Sequence, residues 1–149
     1  MTGWIPDEDW ATIVRSVPIP SVDLVAVTDE GVVLAKRTNE PVSGEWFVPG
    51  GRIQKGESIA KAVHRVACEE LGVKITIQER LGAFDHFYDV ADVGGTDKHY
   101  VAHGFVVVPE ASTFELDDQH ADVRTFATMP DDLHKHVAAY LEAADAVDF

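Results

Sequence analysis

The residues best suited to chemistry are two adjacent carboxylates, Glu69 and Glu70, in the last turn of a predicted helix. A loop rich in Gly and Pro precedes this helix, and we interpret residues 49–51 of that loop as a tight turn that can present backbone carbonyls. Mg²⁺ prefers carboxylate, carbonyl, water and phosphate oxygens. The Gly50 carbonyl and Glu70 could therefore supply two protein ligands to a divalent cation. Arg65, four residues before Glu69, can hold that carboxylate or neutralise it.

The elements that must position these groups follow from hydrophobic periodicity and turn residues. Helices are predicted over residues 7–15, 58–71 and 131–144, and strands over residues 22–27, 32–37, 73–77, 81–90, 99–108 and 123–127. The middle helix has apolar residues at helical spacing, and Gly72 is suited to the position just past its end. The last helix has Leu133, Val137, Ala138 and Leu141 on its predicted apolar face. The pattern predicts one mixed α/β domain over residues 1–149.

The charge of the chain limits its partners. The net charge is -14, from 26 acidic and 12 basic residues, which argues against a nucleic-acid polymer or an anionic membrane as partner. A small anionic substrate stays compatible with this charge if a bound cation and a few arginines act locally. An acidic excess of this size also suits a cytoplasm with high salt, where screening removes self-repulsion.

Other features indicate a soluble, cytoplasmic protein. No apolar run approaches the roughly 20 residues that span a bilayer. Residues 1–16 contain acids and Trp, where a signal peptide would have a basic start and a continuous apolar stretch. Cys68 is the single cysteine, so an internal disulfide is excluded. Its apolar neighbours predict that Cys68 is a small core residue.

Residues 51–73 resemble the box motif of the Nudix hydrolase family. The residues that carry this resemblance are Gly51, Glu57, Arg65, Glu69, Glu70 and Gly72. Two glutamates alone are also typical of a solvated helix surface, but the additional box residues favour a metal site. The resemblance implies an α/β/α sandwich around a mixed sheet. It also implies cleavage of a nucleoside diphosphate linked to another group.

One position departs from the box. The family normally has Glu directly after the box arginine, whereas this chain has Val66. Position 66 lies four residues before Glu70, so in the usual box both carboxylates share one helix face and can bind metal together. The loss of one anionic ligand should reduce the number of metals held, and it counts against the ordinary attack at phosphorus.

Segments outside the box are similar to one branch of the family, the GDP-mannose mannosyl hydrolases, which lack the same glutamate and cleave the sugar C–O bond. The matching segments are residues 9–16, 36–39, 46–52, 86–89, 99–100 and 118–120. This resemblance implies one Mg²⁺, with Mn²⁺ as an alternative, held by the Gly50 carbonyl, Glu70 and Gln119. Glu69, where the branch tends to lack an acid, is an additional candidate. His120, directly after Gln119, would be the general base.

The same resemblance assigns substrate contacts. Arg37 and Arg52 match arginines that bind the leaving diphosphate, Tyr100 adds a hydroxyl to it, and Asp23 contacts the sugar or nucleotide. Asp9 and Trp10 match residues that contact guanine across a homodimer interface. The alternatives are solvation at a strand end for Asp23, and a helix cap with a core aromatic for Asp9 and Trp10. His86 is also implied near the site, with no definite role.

The implied reaction is hydrolysis of a GDP-sugar at C1, giving GDP and free sugar with inversion. Two alternatives stay open. A conventional Nudix pyrophosphohydrolase would cleave P–O in ADP-ribose, a nucleotide sugar or a nucleoside triphosphate, with Glu57, Glu69 and Glu70 holding the metals. A non-catalytic nucleotide-sugar binding module is the second. The products distinguish the first alternative, and substitution of His120 distinguishes the second.

Overall fold

A computed structural model describes residues 5–37, 46–93, 96–110, 120–131, 133 and 135–144. The elements in chain order are α1 (Asp7–Ser16), β1 (Ile19–Thr28), β2 (Gly31–Arg37), β3 (Trp46–Phe47), β4 (Gly50–Arg52), α2 (Ile59–Leu71), β5 (Ile75–Val93), β6 (Thr96–Pro109), β7 (His120–Phe126) and α3 (Lys135–Ala143). None of the helices in these ranges has the length and apolar character needed to cross a membrane.

The strands form one mixed sheet. Its main order is β3-β2-β1-β6-β5, while β4 pairs with β1 and β7 pairs with β2. Strands β1 and β6 run parallel, and the other strand pairs are antiparallel. Strand β1 lies at the centre, so its sequence is a nearly continuous buried run rather than an alternation of buried and exposed residues.

Helices cover both faces of the sheet. Alternate residues of β1 point to opposite faces: Leu24 and Ala26 belong to the core cluster beneath α2, and Val25 and Val27 belong to the cluster beneath α3. The two clusters account for the predicted α/β/α sandwich, which is confirmed.

Three predictions of local structure were wrong. Residues 50–52 are strand β4 rather than part of a tight turn, because the backbone pairs with β1 over Asp23↔Gly50 to Ser21↔Arg52. The two strands predicted over 73–77 and 81–90 form the single strand β5. Its pairing with β6 continues through bulges, and Gly82 has a positive φ at one of the register shifts. The loop predicted over 91–98 is shorter, since β6 already begins at Thr96.

Two predictions about helix faces also failed. Cys68 is exposed, because α2 buries Ala67 and the next residue is turned about 100° away around the helix. Helix α3 begins at Lys135 rather than at residue 131, and it buries Val137 and Tyr140 while Ala138 is exposed. The predicted face counted only aliphatic residues and missed the tyrosine.

Candidate active site

Strand register brings several predicted site residues to one face of the sheet. Asp23 of β1 is paired with Gly50 of β4, and Ile19 of β1 is paired with Tyr100 of β6. Tyr100 is in turn paired with His86 of β5. Because paired residues point to the same face, Asp23, Tyr100 and His86 lie on the face that α3 covers.

Position 50 requires glycine because the Asp23 side chain lies directly against it. A Cβ atom at this position would overlap Oδ1 of Asp23 and lie 2.9 Å from the carbonyl oxygen of Val22. The Pro49 carbonyl accepts a 2.8 Å hydrogen bond from the Leu24 N–H of β1. Successive carbonyls of a strand alternate in direction, so the Gly50 carbonyl points away from β1. That direction suits a carbonyl that binds a cation.

Arg65 ties the loop after β4 to α2. Its Nε and Nη2 donate to the two carboxylate oxygens of Glu57 at 2.7 and 3.0 Å, and Nη1 donates to Glu69 at 2.6 Å. Its Nη2 also donates to the Arg52 carbonyl at 2.8 Å. The hydrogen bonds and charge of Arg65 lower the pKa of Glu57. Glu57 and Glu69 therefore have a counter-ion within the protein itself, as the sequence predicted for Glu69.

Glu70 lies on the side of α2 that faces β4. Val66, one helical turn earlier on the same face, is 1% exposed, and its Cγ2 would lie 3.1 Å from a Cβ atom at Gly51. The helix ends just beyond Glu70, where Gly72 adopts a left-handed conformation with φ of 70°. This glycine confirms the predicted end of the helix and fixes the turn that carries Glu70.

A second cluster lies beside α1. The guanidinium carbon of Arg52 is 5.5 Å from the ring centroid of Trp10. Nζ of Lys98 is 5.9 Å from the centroids of both Trp10 and Tyr100, which is within the range of cation–π attraction. Trp10 thus contacts cations of its own chain, while Asp9 is exposed in the first turn of α1. Lys98 was not predicted as a site residue because the sequence places it at the end of a glycine-containing loop, whereas it lies in β6 and is 8% exposed.

The remaining predicted residues are described only in part. The Cα register pairs Arg37 at the end of β2 with His120 at the start of β7, so the predicted diphosphate ligand and the predicted base are neighbours on adjacent strands. Their side chains, and the whole of Gln119, lie outside the described residues.

Mg²⁺ prefers hard oxygen donors as ligands. Within the described ranges, no three His, Cys, Asp or Glu side chains come together as a metal cluster. The Gly50 carbonyl and the Glu70 carboxylate are oxygen donors of this kind, and water and substrate phosphate are the other oxygen ligands that Mg²⁺ ordinarily takes.

Helix α3 contributes a third group that sequence reasoning missed. The Tyr140 hydroxyl donates a 2.7 Å hydrogen bond to Oδ2 of Asp23, and the His136 ring is stacked on His86 with 4.0 Å between centroids. The sequence places His136 and Tyr140 four residues apart, and this spacing could have indicated that both lie on one face of the helix.

An α/β/α sandwich in which an arginine-tied loop leads into a helix ending in paired glutamates is an architecture of the Nudix type. The chain belongs to the Nudix family, because the NUDIX domain model matches residues 17–145.

Two relatives differ in how much of this chain they cover. The low-salt glycan biosynthesis protein Agl8 of Haloferax volcanii is 50% identical over 145 residues, covering 97% of this chain and 93% of the relative. The ADP-ribose pyrophosphatase of Methanocaldococcus jannaschii is 34% identical over 67 residues, covering 45% of this chain and 40% of the relative.

Solved structures agree with the fold. The MutT NUDIX hydrolase of Burkholderia pseudomallei has a TM-score of 0.69 at 27% identity, covering 85% of this chain and 97% of the other. The MutT protein of Methanosarcina mazei Go1 has a TM-score of 0.72 at 20% identity, covering 87% of this chain and 94% of the other. The second similarity concerns the fold alone.

Proposed function

We propose that this Nudix hydrolase cleaves a GDP-sugar of the GDP-mannose or GDP-glucose type at C1 in a Mg²⁺-dependent reaction. The products are GDP and a free sugar of inverted configuration. The observation that carries the proposal is Val66, which is packed in the core at the position where the Nudix box normally has a metal-binding glutamate. Glu57 and Glu69 both bond to Arg65, and we assign Glu70, on the same face of α2 as Val66, as the main carboxylate ligand.

The residues divide the reaction between a cation site and a sugar site. The Gly50 carbonyl, Glu70 and Gln119 would hold Mg²⁺, with Glu69 as an additional candidate. Held there, Mg²⁺ would supply positive charge to stabilise a departing diphosphate. Polar and aromatic side chains on the α3-covered face suit a sugar, since Asp23 can accept hydrogen bonds from sugar hydroxyls.

Proton transfer falls to His120. The imidazole takes a proton from water, whose oxygen attacks the anomeric carbon from the side opposite the diphosphate. The C1–O bond breaks, and its electron pair leaves with GDP. Arg37 and Arg52 bind the diphosphate through forked donors, so a second carboxylic acid, as used by ordinary inverting glycosidases, is unnecessary.

The remaining substrate contacts belong to the same proposal. Tyr100 donates a hydroxyl to the diphosphate. Trp10 and Asp9 lie close to guanine in a homodimer. Agl8, which is half identical to this chain, has a name that refers to glycan biosynthesis, and this supports a sugar-containing substrate.

Cleavage at phosphorus is the second candidate. It is favoured by the retained Glu57 and Glu69 and by the partial similarity to an ADP-ribose pyrophosphatase. In that case the products would be a nucleoside monophosphate and a sugar phosphate.

The test is hydrolysis of a panel of nucleotide sugars in ¹⁸O-labelled water with Mg²⁺. We expect label in the free sugar and GDP as the unlabelled product, whereas label in phosphate would establish attack at phosphorus instead. Chelation of the divalent cation should abolish turnover, and added Mg²⁺ should restore it.

His120→Ala tests the base. We expect kcat to fall by about 10²-fold or more, the usual contribution of a general base. His64→Ala is the matched control, since His64 is exposed on α2, and it should keep the wild-type rate. A wild-type rate in His120→Ala would exclude His120 as the base, and no turnover in the unaltered protein would point to a binding module.

A further inference from the structure

A buried hydroxyl group of helix α3 contacts Asp23, the residue that is proposed to meet the sugar. Tyr140 is 0% exposed, and its hydroxyl donates to Oδ2 of Asp23, which is itself 6% exposed. Burial and the Asp23 charge raise the pKa of Tyr140, so the hydroxyl keeps its proton and remains a donor. One carboxylate oxygen of Asp23 is thereby fixed, while Oδ1 lies against Gly50.

The same helix also restrains an imidazole. Nδ1 of His86 is 3.8 Å from Oδ2 of Asp23, and the His86 side chain is 3% exposed. The His136 ring is stacked on His86 with an interplanar angle of 9°, and Tyr140 meets His86 edge to face with centroids 5.3 Å apart. Tyr88 packs edge to face against His136 at 5.2 Å. His86 is therefore restrained by two rings of α3.

The approach of α3 depends on a glycine in the sheet. A Cβ atom at Gly104 would lie 2.5 Å from Cε1 of Tyr140, so any larger residue would displace this ring. Gly104 is also the Cα partner of Asp23 across the β1–β6 pair. The missing side chain lets the tyrosine lie on the strand and reach the carboxylate. Burying the Asp23 carboxyl group is costly unless its oxygens are hydrogen-bonded, and the Tyr140 hydroxyl supplies such a bond.

We propose that His136 and Tyr140 are positioning residues: Tyr140 fixes the Asp23 carboxylate, and His136 fixes the His86 imidazole, in the orientation that receives the sugar. This inference rests on the proposed function, in which Asp23 and His86 lie at the sugar. Preorganised side chains bind a reacting group better than side chains that must be ordered on binding, so the effect should be on turnover more than on folding.

Variants that separate ring packing from polar contact test the proposal. Tyr140→Phe keeps the ring and removes the hydroxyl, and we expect kcat/KM to fall by about 10-fold or more, within the range that small misplacements cost. His136→Phe keeps a stacking ring and should retain most activity, while His136→Ala should lose about 10-fold for the same reason. Leu141→Ala is the control, a partly buried α3 residue that should change stability but not kcat/KM.

A double substitution tests whether Tyr140 acts through Asp23. Residues of one network have non-additive effects, so Tyr140→Phe should cause little further loss when Asp23 is already Asn. Full additivity would overturn the assignment. The proposal also fails if Tyr140→Phe and His136→Ala lower only the melting temperature, as Leu141→Ala does, and leave kcat/KM unchanged.

A spectroscopic measurement keeps the inference separate from the proposed function. The ¹⁵N shifts of the His86 ring in the substrate-free protein should change in Tyr140→Phe and in His136→Ala, and should match the unaltered protein in Leu141→Ala. If no nucleotide sugar is hydrolysed and these shifts behave as expected, the proposed substrate is wrong and the positioning role stands. Unchanged His86 shifts in Tyr140→Phe would overturn the role whatever the substrate.

Discussion

At the scale of single residues, the Arg65 guanidinium links the loop after β4 to helix α2. It donates to Glu57, Glu69 and the Arg52 carbonyl, and the Glu57 carboxylate also accepts from the Gln54 N–H at 3.1 Å. Side-chain exposures of 25% for Arg65 and 13% for Glu57 mean that water screens this pair only partly. Glu57 therefore links protonation to the stability of the loop.

Glu57→Gln should weaken the fold near neutral pH by about 2 kcal/mol, the usual size for hydrogen bonds to charged groups. Because folding lowers the pKa of Glu57 below 4.5, its contribution is present above the unfolded pKa and is lost as pH falls through the folded pKa. Urea unfolding at a series of pH values should show a shallower acid dependence in the variant. Glu79→Gln, exposed on β5, is the control. Parallel curves for Glu57→Gln and the unaltered protein would contradict the assignment.

At this scale, whether a contact could be predicted from the sequence depends on how far apart its two residues lie along the chain. The Arg65–Glu69 ion pair follows directly from helical spacing. The bond between Tyr140 and Asp23 joins residues 117 positions apart, and no local pattern connects them. Lys98 was missed for the same reason, because its contact with the Trp10 ring joins β6 to the distant helix α1.

At the scale of elements, α2 is held by a cap at each end. The Ser58 side chain accepts a 3.2 Å hydrogen bond from the Lys61 N–H, and Gly72 closes the helix with φ of 70°. Ser58→Ala and Gly72→Ala should each cost about 1 kcal/mol. Only Gly72→Ala alters the turn that carries Glu70, so it should raise the Mg²⁺ concentration required for half-maximal turnover.

The comparison of the two caps separates stability from cation binding. Thermal unfolding should show similar losses for Ser58→Ala and Gly72→Ala, while Mg²⁺ titrations of turnover should shift for Gly72→Ala alone. An equal shift in both variants would mean that general loosening of α2, rather than the position of Glu70, sets the Mg²⁺ requirement.

Elements differ in how far sequence alone could define them. Helix α2 has its cap, its apolar spacing and its terminal glycine within one segment, and its prediction was confirmed. Strand β4 has two glycines, which favour a turn, and only its pairing with β1 makes it a strand. The face of α3 was misjudged because Tyr140 is buried by a glycine on β6 and a carboxylate on β1, neither of which the helix sequence contains.

At the scale of the whole molecule, β1 joins the two sides of the candidate site. Its residues alternate between the α2-covered face, behind the loop and helix that would hold the cation, and the α3-covered face, where Asp23 meets Tyr140. Strand β4 pairs with β1 between them and brings Gly50 against Asp23. Strand β4 therefore links the loop and helix that are proposed to hold the cation with the Asp23 carboxylate that is proposed to contact the sugar.

The net charge of -14 should make the stability of the molecule depend on salt. Acidic residues exceed basic ones by more than two to one, so the folded state carries self-repulsion that counter-ions screen. Raising KCl from about 0.1 to 1 M shortens the Debye length from about 10 to 3 Å, and we expect the melting temperature to rise over this range.

A double variant, Glu79→Gln with Glu142→Gln, removes two exposed charges. It should have a higher melting temperature at low salt and a smaller rise with KCl. Sucrose at matched osmolality separates charge screening from general solute exclusion, which strengthens burial without screening. A melting temperature that does not change with KCl, or a double variant with the same slope as the unaltered protein, would show that repulsion among the surface acids does not limit the fold.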